Sequence, residues 1–500
     1  MLCYMIWKEI ERASTADLWS LASLLIIGGL MYALSGYFKS VILALKLPGP
    51  PTVPFFGNCL LVKERDLLTN RASTAFNLYG PLVRLWVLLF PFFMVLEPHD
   101  LQTILSSKKH TNKVFFYRLM HNFLGNGLIT NNGNKWSMHR KLIQPTFHLS
   151  ILEKFVSTFV DATEASFSLL DPSQTEINIV KFVNTCVINI LNEAVLGVPA
   201  KKSGTLEVEE SPFRQGKVVV PYRVTHPWLL IDAVYRMTQT ANDELKQKKK
   251  LDEFTYRMIQ RRRALRKSDP NFQQKCLLDY MIEISESCPD FTEDDIVSEA
   301  CTFMLAGQDS VGAAVAFCLF TLAQHPEIQQ KCYDELEAIF GDDNRPPNMN
   351  DLREMKYLEM CIKETLRLYP SVPLFARKTS EDIQVGKHTL PAGSNVFIIP
   401  YATHRLPHIY PDPEKFDPER FTSENCEKRH PYAYLPFSAG ARNCIGHRFA
   451  ILEMKTVISK ILRSYELLPV PGKTTFEPTF RITLRGSGGL WIRLGTRTAT

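Results

Sequence analysis

The chain contains 500 residues, of which 45% are hydrophobic and 22% are charged, and its formal net charge is +6 at pH 7. This composition fits a globular protein with a large core, and the charge is too small for this length to indicate nucleic acid as a partner. The 11 cysteines are scattered, odd in number and without the CxxC or Cys/His spacing of a zinc site. They are typical of reduced thiols in a protein that faces the cytosol.

An uncharged apolar run near the N-terminus, residues 18–38, predicts a transmembrane helix. The run is long enough to cross the ~30 Å hydrocarbon core of a bilayer, and aromatic residues such as Trp19 and Phe38 near its ends are typical of membrane interfaces. A buried core helix is the alternative. Residues 1–17 form a short segment before this anchor. The flanking Lys and Arg residues leave its orientation undecided, whereas the reduced cysteines favour a cytosolic body.

A proline-rich segment, residues 47–54, follows the anchor. Its prolines stiffen the backbone and stop a helix. We therefore expect residues 39–54 to be a linker with a rigid hinge, followed by a catalytic domain over residues 55–500. Residues 80–87 and 92–96 have the pattern of two short strands.

A helix that begins near Gly133 carries Trp136 and Arg140 four residues apart, on one helix face. An indole N–H beside a guanidinium can bind a carboxylate, although an ordinary surface contact is the alternative for this pair alone. Helical periodicity continues through residues 150–200. A basic helix over residues 242–269 is interpreted as a solvated face.

A second long helix is predicted from Thr292 to Gln324, and it opens with a sequence that resembles a capping box. Gly307 lies inside it at a cost of about 1 kcal/mol relative to alanine, which allows a ligand or a flat cofactor to approach closely. Asp309 and Ser310 follow on the same side, and an acid beside a hydroxyl is a plausible proton relay. A packed helix with a chance glycine is the alternative.

An acid–base pair, Glu364 and Arg367, occupies positions i and i+3 of a predicted helix. Surface pairs of this kind contribute little to stability. Short strands are predicted at residues 383–385 and 394–399. A final hairpin is predicted over residues 483–494, around a glycine-rich turn.

The most informative stretch lies near the C-terminus, where Phe437, Gly440, Arg442, Cys444 and Gly446 occur at fixed spacing before a helical pattern. The two glycines can adopt backbone angles that other residues avoid and let the chain pass close to something flat. Cys444 lies at the mouth of the helix, where the dipole and free N–H groups favour a thiolate. Such a thiolate can be an axial ligand of haem iron, although a lone cysteine is more often an ordinary buried one.

This ten-residue pattern resembles the haem-binding loop of the cytochrome P450 monooxygenases. The resemblance extends over roughly residues 30–495, with a W-x-x-x-R helix, a central-helix groove, E-x-x-R and P-E-R-F in the family's order and spacing. It implies the cytochrome P450 fold, which is mainly α with small β-sheets. The motifs are most similar to those of family four, especially its insect members. Typical members of this family hydroxylate fatty acids or related lipids at or near the chain end.

The resemblance also implies residue roles. Cys444 would be the axial ligand of haem iron, in the loop that carries Phe437, Gly440 and Gly446, and Ala306 and Gly307 would form the oxygen-activation groove beside the catalytic pair Asp309 and Ser310. The haem propionates would be held by Trp136, Arg140, Arg377 and Arg442. A structural triad would consist of Glu364, Arg367 and Arg420. Substrate would face Val372, Leu374 and Phe375, with further pocket segments at residues 113–128, 205–230, 298–307 and 476–480.

Two departures from family four lie in the central helix. Ala306 replaces a glutamate that can form an ester to haem, which predicts non-covalent haem b. Ser310 replaces threonine, so its side chain is less fixed and can bond back to the Ala306 carbonyl. We expect a working but leakier proton relay.

The expected activity is an NADPH- and O2-dependent hydroxylation of an apolar substrate, which is a fatty acid or related lipid, a hydrocarbon, a terpenoid or a xenobiotic. NADPH–cytochrome P450 reductase would supply electrons, with cytochrome b5 as a second donor, at the endoplasmic reticulum membrane. The expected basic docking surface consists of Lys135, His139, Lys141, His447, Arg448 and Lys455. The alternatives are a haem-thiolate isomerase or dehydratase that works without reductase, and a non-catalytic haem-bound lipid or gas binding protein.

Overall fold

The structure, a computed structural model, describes residues 15–61, 74–167, 169–171, 173–199, 212–215, 219–268, 275–480 and 482–497. It is mainly α-helical with small sheets, as the sequence predicted. The α-helices of these ranges are α1 (Thr15–Lys46), α2 (Ala75–Tyr79), α3 (Pro98–Leu105), α4 (His121–Leu124), α5 (Gly133–Ile143), α6 (Leu149–Phe167), α7 (Ile179–Leu196), α8 (Val220–Thr225), α9 (Asp232–Arg236), α10 (Gln239–Ser268), α11 (Leu277–Ser287), α12 (Glu293–Gln324), α13 (Pro326–Phe340), α14 (Met349–Glu354), α15 (Lys356–Leu368), α16 (Pro400–Thr403), α17 (Ser423–Glu427) and α18 (His447–Ser464).

In the described ranges, the strands form four small sheets rather than one large one. The largest sheet has the order β1-β2-β7-β4, with β2 and β7 parallel and the other pairs antiparallel. The strands are β1 (Leu82–Val87), β2 (Phe90–Val95), β3 (Ile177–Asn178), β4 (Phe375–Lys378), β5 (Ile383–Val385), β6 (His388–Leu390), β7 (Asn395–Ile398), β8 (Tyr465–Pro469), β9 (Glu477–Phe480), β10 (Leu484–Ser487) and β11 (Trp491–Thr496).

Helix α12 is the centre of the core, and it packs most extensively against α7. It begins after Thr292, whose side chain accepts from the Asp295 N–H while the Asp295 carboxylate accepts from the Thr292 N–H. The predicted capping box is therefore confirmed. Beyond Ser310, α12 is buried on nearly every side, because its sequence there is apolar all round. The segment Ala306 to Ser310, which precedes this buried stretch, is partly exposed.

The anchor helix is longer than predicted. Helix α1 continues to Lys46, so residues 39–46 are helix and not linker. Its last turns pack on the body of the protein: the Tyr37 hydroxyl donates to the Leu89 carbonyl at 3.1 Å, and Ser40 Oγ lies 3.1 Å from Ser394 Oγ. The helical propensity of Lys39 to Lys46 and the burial of Ala44 explain the extension.

The proline segment after α1 is also held on the protein surface. The Arg84 N–H donates to the Pro48 carbonyl at 2.9 Å, and its guanidinium donates to the Pro50 carbonyl at 3.1 Å. These bonds fix the hinge against β1, and they fix the direction in which α1 leaves the domain.

Among the described residues, three helices are long and apolar enough to cross a membrane: the stretch Ile27–Lys46 of α1, together with α7 and α12. The last two are mostly buried inside the fold, whereas Ile27–Lys46 is mostly not buried. Within the described residues, α1 is therefore the candidate membrane span. Residues 1–14 of the predicted N-terminal segment lie outside the described residues.

The predicted hairpin over residues 483–494 is wrong. Strand β10 pairs back with β9, whereas β11 joins β8 and β3 in another sheet. Gly488 and Gly489, with φ of 80° and 92°, redirect the chain between the two sheets. Sequence alone showed the glycine turn but not its partners, because strand pairing is decided by tertiary packing.

Candidate active site

A cavity of about 370 Å³ lies between α12 and the loop that precedes α18. Side chains from opposite ends of the chain meet there, because α5, α12, β4 and the loop before α18 all border it. The predicted site residues that line it are Trp136, Arg140, Ala306, Gly307, Asp309, Ser310, Val372, Leu374, Phe375, Arg377, Phe437, Arg442, Cys444 and Gly446. Gly440, Glu364, Arg367 and Arg420 are not among its lining residues.

Cys444 lies two residues before Gly446, the residue that caps the N-terminus of α18. Its backbone N–H donates to the Phe437 carbonyl at 2.9 Å, which closes the loop. Cys444 is exposed where it lines the cavity, but the protein around the thiol desolvates it and raises its pKa. The Gly446 amide and the charge of Arg140 act in the opposite direction. The helix start alone therefore does not produce a thiolate, because burial outweighs it.

The two glycines of this loop have different roles. Gly440 has φ of +70°, and a Cβ built there would lie 1.7 Å from the Leu105 carbonyl oxygen. Only glycine fits where the loop meets the end of α3. Gly446 has φ of −94°, and a Cβ there would make an ordinary 3.6 Å contact with Phe147. The prediction of an unusual backbone conformation is therefore wrong for Gly446.

Four cationic side chains, Lys113, Arg140, Arg377 and Arg442, line the cavity. Burial lowers the pKa of each, to about 9 for Arg442, and the charges of Arg377 and Arg442 further lower that of Lys113. Within the described part of the chain, none of the four has a carboxylate partner. Buried cations of this kind are stabilised by anions, so the cluster suits a ligand that carries carboxylates.

Neutral partners hold these arginines in place. Arg442 donates to the carbonyls of Leu128 and Asn131, and its guanidinium lies 3.9 Å from the centre of the Trp136 ring. Arg140 donates to the backbone and side-chain oxygens of Asn443 at 2.9 and 2.7 Å. The loop of Cys444 and helix α5 are thereby joined directly.

On the opposite side of the cavity, the Ser310 hydroxyl donates to the Ala306 carbonyl at 2.6 Å. The back-bond predicted from the sequence is therefore present. The Asp309 carboxylate accepts from Arg485 of β10 at 2.5 Å. Sequence reasoning missed Arg485, because nothing local links a hairpin near the C-terminus to α12.

Gly307 is needed for helix packing. A Cβ at this position would lie 2.6 Å from Cδ2 of Leu191 on α7. The sequence predicted that Gly307 allows a ligand or a flat cofactor to approach. In the structure, the glycine also allows α7 to approach α12. Both residues nevertheless line the cavity.

The structure brings the predicted triad together away from the cavity. Arg367 donates to both carboxylate oxygens of Glu364, at 2.7 and 2.8 Å, and Arg420 Nε lies 3.5 Å from Glu364 Oε1. Arg367 also donates to the carbonyls of His404 and Pro413. The triad thus ties α15 to the segment before α17 and leaves the side chains of Glu364 and Arg367 fully buried.

The predicted basic docking surface is partly wrong. His139 is fully buried and lies 2.6 Å from Glu299, while Lys455 is buried and donates to the Leu352 carbonyl. Lys135 forms an ion pair with Asp295 at 2.6 Å. Helical spacing placed these residues on the right helices but could not show which face is covered. The members with exposed or half-exposed side chains are Lys135, Lys141, His447 and Arg448.

Comparison with known proteins adds independent information. The family model described as Cytochrome P450 matches residues 47–488. The chain is 65% identical over 499 residues to "Probable cytochrome P450 4aa1" of Drosophila melanogaster, with 98% of each chain covered. It is 36% identical to "Cytochrome P450 4c3" of the same organism, covering 90% of this chain and 89% of the relative. It is 34% identical to human "Cytochrome P450 4V2", covering 99% and 98%.

Proposed function

The chain belongs to the cytochrome P450 family, within its family four, and is a monooxygenase; from this premise we propose that it hydroxylates an apolar substrate with electrons that NADPH supplies through a membrane-bound reductase. One observation carries the proposal. A single cavity holds a cysteine at a helix start, four cations without a carboxylate partner among the described residues, and the acid–hydroxyl pair of α12.

The residues around this cavity fit a haem group, which the family implies. Cys444 would hold its iron, and the cationic cluster would pair with its two propionates, which explains why these largely buried cations have no carboxylate partner among the described residues. Trp136 and the Asn443 contacts orient Arg442 and Arg140 for this role. When bound, the haem iron supplies the oxygen-activating chemistry.

The chain's own contribution on the other side of the cavity is proton handling. Ser310 Oγ currently donates its proton to the Ala306 carbonyl, so the hydroxyl must rotate before it donates into the cavity. Asp309 is the nearest acid in sequence, and Arg485 holds its carboxylate. Serine lacks the β-branch that would restrict this rotation.

We propose that the haem is haem b held without a covalent bond, because Ala306 offers no carboxylate to esterify. Acid–acetone extraction followed by mass spectrometry of the chain tests this. Free haem and unmodified apoprotein are expected, and haem that stays on the polypeptide would rule out the non-covalent assignment.

We also propose that α1 anchors the protein in the endoplasmic reticulum membrane with the catalytic domain in the cytosol. NADPH–cytochrome P450 reductase, with cytochrome b5 as a second donor, would dock on the side of Cys444, where Lys141 and Arg448 offer positive charge. Reduction should slow as salt rises, since exposed charges are screened beyond about 10 Å at 0.1 M ionic strength. A rate independent of salt would contradict electrostatic docking.

The proposed activity is tested by reconstituting the protein with reductase in vesicles and measuring NADPH consumption and product. Oxidised product is expected only when NADPH, reductase and O2 are all present, and Cys444→Ala should abolish it. Turnover without reductase would favour an isomerase or dehydratase, and ligand binding without any turnover would favour a binding protein.

A further inference from the structure

A second cavity, of about 490 Å³, adjoins the first. It lies between the proline hinge, β1, α8 and β4, and we call it the outer cavity. Five residues line both cavities and so form the wall between them: Tyr117, Met120, Leu374, Phe375 and Ile482. A chain-like ligand that begins in the part of the first cavity left beside a haem, and is longer than that space, would therefore extend past these side chains into the outer cavity.

The outer cavity is almost entirely apolar. Its described lining residues include Leu78, Val87, Phe116 and Val224, and none of the described lining residues is charged. Two nearby arginines are engaged elsewhere. Arg84 donates to the Pro50 carbonyl, and Arg223 donates to the Leu229 carbonyl and to Asp232.

Two polar side chains on this lining, those of Asn58 and Thr225, already have partners. The Asn58 side chain donates to the Pro51 carbonyl and accepts from the Trp86 N–H, both at 2.8 Å. The Thr225 hydroxyl donates to the Tyr222 carbonyl at 3.1 Å. A carboxylate placed here would lose water without gaining a cationic partner among the described lining residues, and burial of an unpaired charge is strongly unfavourable.

We propose that the substrate is a long, uncharged lipid chain, such as a long-chain alcohol, aldehyde, ester or hydrocarbon, which occupies both cavities and is disfavoured as the free fatty acid. The inference rests on the proposed function, because it takes the first cavity as the reaction site. It narrows the substrate class by charge and by length.

Lys113 marks the competing possibility. Its amine lies 4.2 Å from the centre of the Tyr117 ring and lines the first cavity together with Arg377 and Arg442. A fatty acid bound in reverse, with its carboxylate at Lys113, would use the cationic cluster instead of the outer cavity. The experiment must therefore separate these two orientations.

The test measures equilibrium binding of lipids to the full-length resting protein in vesicles, without reductase or NADPH. Binding is monitored through the shift of the haem absorption band. Hexadecanol should bind at least about tenfold more tightly than hexadecanoate, because an unpaired buried carboxylate costs more than a hydroxyl. Equal or tighter binding of hexadecanoate would overturn the proposal, and loss of that binding in Lys113→Met would assign it to the reversed orientation.

Val224→Trp fills the outer cavity from α8 and should weaken hexadecanol binding at least about tenfold, while octanol, whose chain is half as long and which we expect to end short of the outer cavity, should bind as before. Tyr222→Trp adds bulk to the same helix at an exposed position and is the matched control. If Val224→Trp affects both alcohols equally, the two-cavity arrangement is wrong. Val224→Arg should instead improve hexadecanoate binding by supplying the missing cation.

These outcomes are independent of the proposed activity. A protein that binds hexadecanol as expected but yields no oxidised product with NADPH, reductase and O2 would refute the proposed hydroxylation and keep the binding inference. A protein that oxidises a substrate with NADPH, reductase and O2 but binds hexadecanoate more tightly than hexadecanol would keep the proposed activity and refute the binding inference.

Discussion

Arg485 of β10 holds the carboxylate of Asp309 at 2.5 Å, although 176 residues separate them in sequence. Both side chains are about one quarter exposed. The same hairpin contributes Ile482 and Thr483 to the cavity lining. The acid of the predicted proton relay is therefore positioned by a segment that also borders the substrate space.

Arg485→Gln should release Asp309 and impair coupling. We expect hydrogen peroxide released per NADPH to rise by up to about tenfold. This is less than the roughly hundredfold that the loss of a general acid or base costs, because the Asp309 carboxylate itself remains. Arg485→Lys should restore most of the coupling if the charge positions Asp309. The substrate-induced spectral shift should stay close to wild type in both variants. Unchanged coupling in Arg485→Gln would show that the ion pair plays no part in proton delivery.

Ser310→Thr should lower the hydrogen peroxide released per NADPH. Threonine restricts χ1, so the hydroxyl is held in fewer orientations than that of serine. Ser287 makes the same bond to a carbonyl four residues earlier, on an exposed part of α11. Ser287→Thr is therefore the matched control and should leave coupling unchanged. A Ser310→Thr protein as leaky as wild type would contradict the relay interpretation.

Glu453 is fully buried on α18, and neither carboxylate oxygen has a hydrogen-bond partner among the described residues. Burial raises its pKa well above the ordinary value. The folded state therefore binds its proton more tightly than the unfolded state, and stability falls as pH rises from about 4.3, the ordinary glutamate pKa, through the raised value.

Glu453→Gln should match wild type near pH 4 and exceed its melting temperature at pH 7.4, because the amide cannot ionise. Glu453→Met should raise the free energy of unfolding by about 1–3 kcal/mol, because it removes an unsatisfied buried polar group. Glu337→Gln, at an exposed position on α13, is the control and should change little. Parallel pH profiles for wild type and Glu453→Gln would exclude this proton linkage.

Gly440→Ala should prevent the Cys444 loop from packing on α3. The new Cβ would lie 1.7 Å from the Leu105 carbonyl, in addition to the strain of positive φ. We expect a loss of about 4 kcal/mol or more in unfolding free energy, together with loss of haem incorporation. Gly472 also has positive φ but nothing within 4 Å, so Gly472→Ala should cost only about 1–2 kcal/mol. Equal costs would mean that the loop moves away freely.

The sequence by itself determined the long helices, the family and many of the residues that line the cavity. Apolar periodicity and the Thr292 cap define α12, and the spacing around Cys444 identifies the loop, because these signals are local. The same local signals predicted the Ser310 back-bond, which joins residues one helical turn apart.

Only the tertiary structure decided which distant groups meet. Arg485 with Asp309, Gly307 against Leu191, and the burial of His139 all depend on how separate elements pack. The predicted strand pairing near the C-terminus was wrong for the same reason. Periodicity shows that a face is apolar or charged but not what covers it, and contacts across a fold arise from packing rather than from spacing along the chain.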